Sequence, residues 1–273
     1  MTITPALREA VTGLLGVCEI TAITGTAAAR VTAADGAKFV VKLHGSRVKH
    51  DREVHAYRRW TRALGSSAPE LAAVDNQAMI ILLKALPGES CLGSGTVATF
   101  SRAGALLRRF HRAEPPAGLP GFRDWVQDRG RYWRSQARTL LSDAEERTLA
   151  SHLAALSEGP MLSGSPCHLD FQPRNWLVSQ AGEVFLIDFE HSRIDLTVRD
   201  FVRLRFRAWE ARPDLQEAFF DGYGRALTED EDELVWHLGA LDALTALVRG
   251  HQTGNQELIA CGLATLQQLG NRQ

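Results

Sequence analysis

The chain changes character once, and that change limits its fold more than any other feature: short β-branched runs fill residues 17–83, and helical periodicity dominates from residue 100 onward. Val17–Ile23, Ala28–Thr32 and Ala37–Leu43 have the length and composition of strands, and Asp35 and Gly36 between the last two suit a tight hairpin turn. A helix over Lys49–Leu64 follows, with Val54, Tyr57 and Trp60 spaced by three so that they share one face. Leu71–Val74 and Ala78–Leu83 read as two further strands on either side of the turn residues Asp75 and Asn76, and a short helix over Thr4–Leu15 precedes them all. Pro87 and Gly88 then break regular structure directly after an apolar strand. The pattern predicts an α+β chain: a small N-terminal lobe (residues 1–84) with a five-stranded antiparallel sheet and one helix, a hinge (residues 85–90), and a larger, mainly helical C-terminal lobe (residues 91–273).

Within the second lobe, Phe100–Ala113, Gly121–Leu141, Ala144–Leu156 and three or more segments beyond Asp195 read as helices. They surround one non-helical island, Ser165–Glu190. Thr228 and Glu231 have the spacing of a capping box, and the adjoining acids Glu229, Asp230, Asp232 and Glu233 suit the positive end of a helix dipole.

Composition removes several functional classes. Net charge is −1, against the basic excess of nucleic-acid binders. No stretch is long and apolar enough to span a bilayer, and Thr2, Thr4, Arg8 and Glu9 interrupt any secretory core, so a cytoplasmic location is expected. The cysteines, Cys18, Cys91, Cys167 and Cys261, form no Cys-x-x-Cys pair and imply neither a disulfide framework nor a zinc site. The net charge hides an asymmetry: residues 1–160 hold 21 Lys and Arg against 15 Asp and Glu, whereas residues 161–273 hold 10 against 17. An acidic C-terminal half would attract a cationic substrate or a divalent metal.

The island carries the chemistry. It reads Cys167-His168-Leu169-Asp170-Phe171-Gln172-Pro173-Arg174-Asn175-Trp176-Leu177-Val178, a Gly182 turn, then Val184-Phe185-Leu186-Ile187-Asp188-Phe189-Glu190. Pro173 forbids a continuing helix between Asp170 and Asn175, which places both on one ordered loop. Asp188 ends an apolar run, where a buried carboxylate is costly unless paired or metal-bound, and hard oxygen ligands of this kind suit Mg²⁺.

This order of residues resembles the aminoglycoside phosphotransferase and choline kinase superfamily, relatives of the protein kinases. In that family a loop His-x-Asp-x-x-x-x-Asn precedes a hairpin ending Ile-Asp-Trp/Phe-Glu, matched here by His168, Asp170, Asn175, Ile187, Asp188, Phe189 and Glu190. The resemblance implies a bilobal protein-kinase-like fold. It implies that Asp170 orients or accepts the proton of a substrate hydroxyl, and that Asn175 and Asp188 hold Mg²⁺. Lys42, alone in the apolar strand Phe39-Val40-Val41-Lys42-Leu43, would reach the nucleotide phosphates and pair with Glu53, with Asp51 as the competing partner. The ring of ATP or GTP would lie under the hinge near Lys84 and Leu86, walled by Val40. Asp200 matches the aspartate that supports the loop from beneath, or else a helix N-terminal acid, and His168 reads as a structural residue holding the loop.

Two departures stand out. The turn Thr24–Ala29 has a single glycine, Gly25, so it is not the glycine-rich loop of protein kinases. Gln172 and Arg174 replace the His and Gly common in the family's loop; Arg174 is read as solvent-facing, with contact to a phosphate or an anionic substrate group as the alternative. The expected function is transfer of the γ-phosphate of ATP or GTP to a hydroxyl of a small molecule, first an antibiotic such as an aminoglycoside or a nucleoside antibiotic, for resistance or self-protection. Choline, homoserine, sugars and ketoamines are alternative acceptors, and an inactive nucleotide-binding module is the alternative of another class. Glu190, Asp195 and Arg174 are candidate acceptor contacts. The expected state is a monomer or homodimer.

Overall fold

The structure is a computed structural model that describes residues 2–158 and 163–271. Its N-terminal part begins with α1 (Pro5–Leu15), capped by Thr4, whose hydroxyl accepts from the Leu7 amide. Strands β1 (Cys18–Ala22), β2 (Ala28–Ala33) and β3 (Lys38–Leu43) form a meander, α2 (Arg47–Arg59) crosses, and β4 (Leu71–Asp75) and β5 (Ile80–Lys84) complete an antiparallel sheet in the order β1-β2-β3-β5-β4. β5 reads Ile80-Ile81-Leu82-Leu83 because both faces of the sheet are covered. Successive side chains of a strand point to opposite faces. Ile80 and Leu82, with Val41 of β3, pack under Leu7 and Val11 of α1, and Ile81 and Leu83 pack with Val54 and Tyr57 of α2 and with Trp60 at its C-cap. The first helix is thus a second cladding layer beyond the one helix assigned to this lobe. The same alternation turns Lys42, the neighbour of Val41, toward α2.

The expected linker is partly strand. Glu89–Ser90 forms β6 and pairs with Val178 and Leu177 of β8 (Trp176–Val178), which continues into β9 (Val184–Leu186). Gly88 makes the approach feasible: its φ is +100°, and a Cβ there would lie 2.5 Å from the Val178 carbonyl oxygen. Gly88→Ala is therefore expected to cost about 1–3 kcal/mol, through strain and a clash that backbone cannot relieve cheaply. Chemical denaturation measures this, and an unchanged midpoint would contradict the close approach.

The rest is helical around a small sheet. In chain order, α3 (Val97–His111), α4 (Phe122–Ala137) and α5 (Asp143–Glu158) precede β7 (Gly164–Cys167), and β10 (Arg193–Leu196) returns to pair with β7. α6 (Val202–Arg207), α7 (Pro213–Tyr223), α8 (Glu229–Thr253) and α9 (Gln256–Asn271) follow. The range 91–273 assigned to this lobe includes residues 159–162, 272 and 273, which lie outside the described residues. α3 and α7 touch almost backbone to backbone: a Cβ on Gly104 would sit 2.1 Å from the Phe219 carbonyl oxygen. α8 starts with the capping box read from Thr228 and Glu231, and its apolar residues are buried on most sides, from Leu234 to Val248. An aromatic core of Phe100, Phe110, Phe171, Trp176, Phe189, Phe201 and Phe219 lies directly behind the island. Among the described residues no helix is long and apolar enough to cross a membrane.

Candidate active site

Hairpin register sets the first part of the site. Trp176 opposes Leu186 in the β8/β9 pair, and the Ile187 amide donates to the Asn175 carbonyl at 3.1 Å. Asn175, at the end of the short 3-10 turn Pro173–Asn175, and Asp188 therefore emerge from the same end of the hairpin. The segments on both sides of the hairpin are held in demanding conformations. Leu169 has φ +62° and Asp188 φ +71°, left-handed values that cost non-glycine residues about 1–3 kcal/mol each and persist only under strong local restraint.

Asp200 supplies that restraint for Leu169. Its carboxylate accepts from the amides of His168 (2.7 Å) and Leu169 (2.5 Å) and from His111 Nε2 (3.0 Å). Burial alone would raise the Asp200 pKa, but the His111 hydrogen bond, reinforced by His168, holds it below the ordinary carboxylate value. His168 binds both ends of the site: Nε2 donates to the Ile187 carbonyl at 2.9 Å, and Nδ1 accepts from the Asp170 amide at 3.3 Å. Those partners require the neutral Nε2–H tautomer, and burial among Phe110, Phe171 and Phe189 depresses the imidazole pKa accordingly.

Asp170 is buried and fully hydrogen-bonded. Oδ1 accepts from Gln172 Nε2 (2.6 Å) and from Arg203; Oδ2 accepts from Arg174 Nη2 (2.9 Å) and Asn175 Nδ2 (2.8 Å). Arg203 is anchored by Asp242 of α8, which also binds Arg207. Facing this loop, Lys42 Nζ donates to both Glu53 oxygens (2.8 and 2.7 Å) and to Asp188 Oδ1 (2.6 Å). Burial would discharge Lys42, but the adjacent Glu53 and Asp188 outweigh it and raise the pKa, so the ammonium is charged. Asp188, about a third exposed, is shifted down: burial opposes its ionisation and Lys42 overrides that. Glu53 has no solvent exposure and also accepts from His44 Nε2 (2.6 Å) and the Phe189 amide (3.2 Å).

The sheet, the hairpin and their shared cleft have known counterparts. A family model described as "Phosphotransferase enzyme family" matches residues 19–237. The chain belongs to this phosphotransferase family. An aminoglycoside phosphotransferase from Alicyclobacillus acidocaldarius superposes with a TM-score of 0.68 at 18% identity, covering 99% of this chain and 96% of that one. The GDP and kanamycin complex of APH(2")-IIia gives 0.74 at 12% identity, with 98% and 99% covered. The choline kinase LicA from Streptococcus pneumoniae gives 0.70 at 14%, with 96% and 98% covered. At these identities the structural likeness establishes the kinase-like fold. No curated protein matches.

For this phosphotransferase, the remaining residues singled out by sequence are scattered around the site. Asp51 points away from Lys42, exposed and beside Arg47 and His50. Lys84 pairs with Glu70, Val40 lies opposite Leu83 in the sheet, and the Leu86 amide has no backbone acceptor among the described residues. Glu190 binds Lys49 at 2.6 Å and His191 at 3.4 Å, contacts that lower its pKa despite partial burial. Asp195, buried, accepts from Arg193 (2.7 Å) and Arg199 (2.6 Å) and so positions two arginines. Arg174 has a half-exposed side chain, yet its guanidinium holds Asp170.

The oxygen donors fit a hard cation. Asn175 commits its amide nitrogen to Asp170, leaving its carbonyl oxygen uncommitted at the same end of the hairpin as the Asp188 carboxylate. Sequence reasoning missed His44, Arg203 and Asp242. It also missed the cavity of about 660 Å³ that Arg203 and Asp242 help to define, which runs from Asp170 between α4 and α8.

Proposed function

We propose that this phosphotransferase transfers the γ-phosphate of ATP or GTP to a hydroxyl of a small molecule bound in the cavity beside Asp170. The observation that carries the reading is the convergence of Lys42, Asp170, Asn175 and Asp188 on one cleft, with Lys42 2.6 Å from Asp188 and Asn175 2.8 Å from Asp170. Phosphoryl transfer demands positioning and charge neutralisation more than covalent help. In this reading the acceptor oxygen forms a bond to the γ-phosphorus as the bond to the β–γ bridging oxygen breaks. The nucleoside diphosphate leaves with that electron pair, and the hydroxyl proton passes toward Asp170 and on to solvent. Lys42, fixed by Glu53, would bind the phosphates, and the Leu86 amide would meet the purine. Asn175 and Asp188 would hold Mg²⁺, which when bound would supply positive charge to offset that of the phosphates.

Nucleotide use is supported by proteins of the same fold solved as GDP and AMP complexes. A small hydroxylated acceptor is supported by proteins of the same fold that include kanamycin and gentamicin complexes, a macrolide phosphotransferase, a spectinomycin phosphotransferase and a choline kinase. An antibiotic or a metabolite fits that range, and a nucleoside triphosphate donor suits a cytoplasmic enzyme. An inactive nucleotide-binding module is disfavoured because all four polar residues are present and connected.

The test is nucleotide consumption by purified protein with ATP and GTP separately, with and without Mg²⁺, against a panel of hydroxylated acceptors. Mg²⁺-dependent, acceptor-stimulated release of ADP or GDP is the expected result. Lys42→Ala should raise the nucleotide KM and lower kcat, together by about 10²-fold or more in kcat/KM, because the phosphates lose their cation. Unchanged kcat/KM would remove Lys42 from that role.

A further inference from the structure

The cavity beside Asp170 has a charge opposite to that of the half of the chain that mostly builds it. Eight arginines line it, with His191 and the aspartates Asp170, Asp200 and Asp242. Counting buried Asp195 behind the wall, eight guanidiniums face four carboxylates, an excess of four positive charges. Every carboxylate is already committed. Asp170 binds Arg174 and Arg203, Asp195 binds Arg193 and Arg199, Asp242 binds Arg203 and Arg207, and Asp200 is turned to His111 and the loop amides. Arg52 of α2, Arg129 of α4 and Arg249 of α8 pair with no carboxylate among the described residues.

These cations are held in place. Arg129 and Arg249 lie over the ring of buried Trp133, at 5.1 and 5.7 Å from its centroid, and Arg199 lies 4.6 Å from the centroid of Trp125. They also repel one another. Arg129 is depressed first by burial and then by Arg249 and Arg199. Crowding fixed cations around a water-filled cleft destabilises the ligand-free protein and raises the local concentration of anions. The sequence average concealed this because most acids of the C-terminal half lie elsewhere and the four at the wall are each bound to an arginine or to His111 and the loop amides. Glu231, in the first turn of α8, is about 16 Å along the helix from Asp242 at 1.5 Å per residue.

We infer that the acceptor carries an anionic group, a carboxylate or a phosphate, which seats on Arg129, Arg249 and Arg52 while its hydroxyl lies at Asp170. The inference rests on the kinase reading for what happens to that hydroxyl, and on the cavity alone for the charge. Planar guanidiniums stacked on indole suit bidentate binding of carboxylate or phosphate oxygens. A polycationic aminoglycoside would meet eight arginines and no uncommitted acid, so the expectation of a cationic acceptor drawn from the acidic half is reversed.

The experiment holds the carbon skeleton nearly constant and varies charge. Gluconate, glucose 6-phosphate, glucose and glucosamine are titrated into the full-length protein with saturating non-hydrolysable nucleotide and Mg²⁺, following tryptophan fluorescence from Trp125 and Trp133. At least one anion should bind about tenfold or more tightly than glucose, with glucosamine weakest; the two anions separate carboxylate from phosphate. Arg129→Glu with Arg249→Glu should reverse the order in favour of glucosamine. If that double variant melts early, Arg249→Gln alone, at an exposed position, should weaken the preferred anion several-fold. Glucosamine binding as tightly as the anions, or no preference for an anion in any form including no binding, overturns the inference. Anion preference without nucleotide consumption would leave it standing and defeat the kinase reading; efficient phosphorylation of a cationic acceptor would do the opposite.

Discussion

Asp170→Asn is expected to lower kcat by about 10²–10⁴-fold while leaving the thermal unfolding midpoint within a few degrees of the parent. The substitution keeps the side chain's shape and one acceptor oxygen, and Arg203 retains Asp242 as its partner. The loss therefore falls on the handling of the acceptor hydroxyl. Asp188→Ala should be at least as severe, since it removes a metal oxygen and the second partner of Lys42 together. In both variants kcat and kcat/KM should fall in parallel, the signature of an interaction made in the transition state, and circular dichroism should report a folded protein. Steady-state kinetics with the best acceptor checks this. A variant of either residue with parental turnover would exclude it from the chemistry, and with both intact the kinase reading would fail.

What the sequence disclosed and what it hid follow from the range of the contacts. The β-rich first lobe was legible because alternation and the Asp35-Gly36 turn are local, and the island was legible because a loop and a hairpin bring Asp170, Asn175 and Asp188 together within 19 residues. Lys42 and Glu53 were readable because strand alternation and helix phase fix their directions independently. Asp51 competed only until the helix start was known: Ser46 caps α2, and residues two apart on a helix face different ways. Contacts to backbone amides left no such trace, so Asp200 read equally well as a helix-end acid. β10 escaped notice because Arg193-Ile194-Asp195-Leu196 is short and half charged, its arginine turned to Asp195. The arginine wall was invisible for a stronger reason. It draws from α2, α4, β10, α6 and α8, positions 52 to 249, and summing charge over half the chain gave the wrong sign for the place where a ligand would feel it.

Asp200→Ala is expected to destabilise the fold by about 3–5 kcal/mol, the cost of removing one member of a buried, hydrogen-bonded charged network. Two amide donors, His168 and Leu169, and the His111 ring would lose their acceptor in a region with little solvent exposure. Leu169 would lose the contact that pays for its left-handed backbone. Asp200→Asn keeps one carbonyl oxygen and should cost less, so the difference between the two isolates the loop amides from the charge. The pH dependence has a definite sign. The folded-state pKa of Asp200 is depressed, so its stabilisation is present above the unfolded carboxylate value of about 3.9 and is lost as pH falls through the lower folded value. Urea unfolding from pH 7 to pH 2 should therefore show the parent losing stability on the acid side more steeply than Asp200→Asn, with the two curves converging at the acid end. Equal stability of Asp200→Ala and parent at pH 7 would mean that the loop is held by the core aromatics alone, and Asp200 would then have no positioning role.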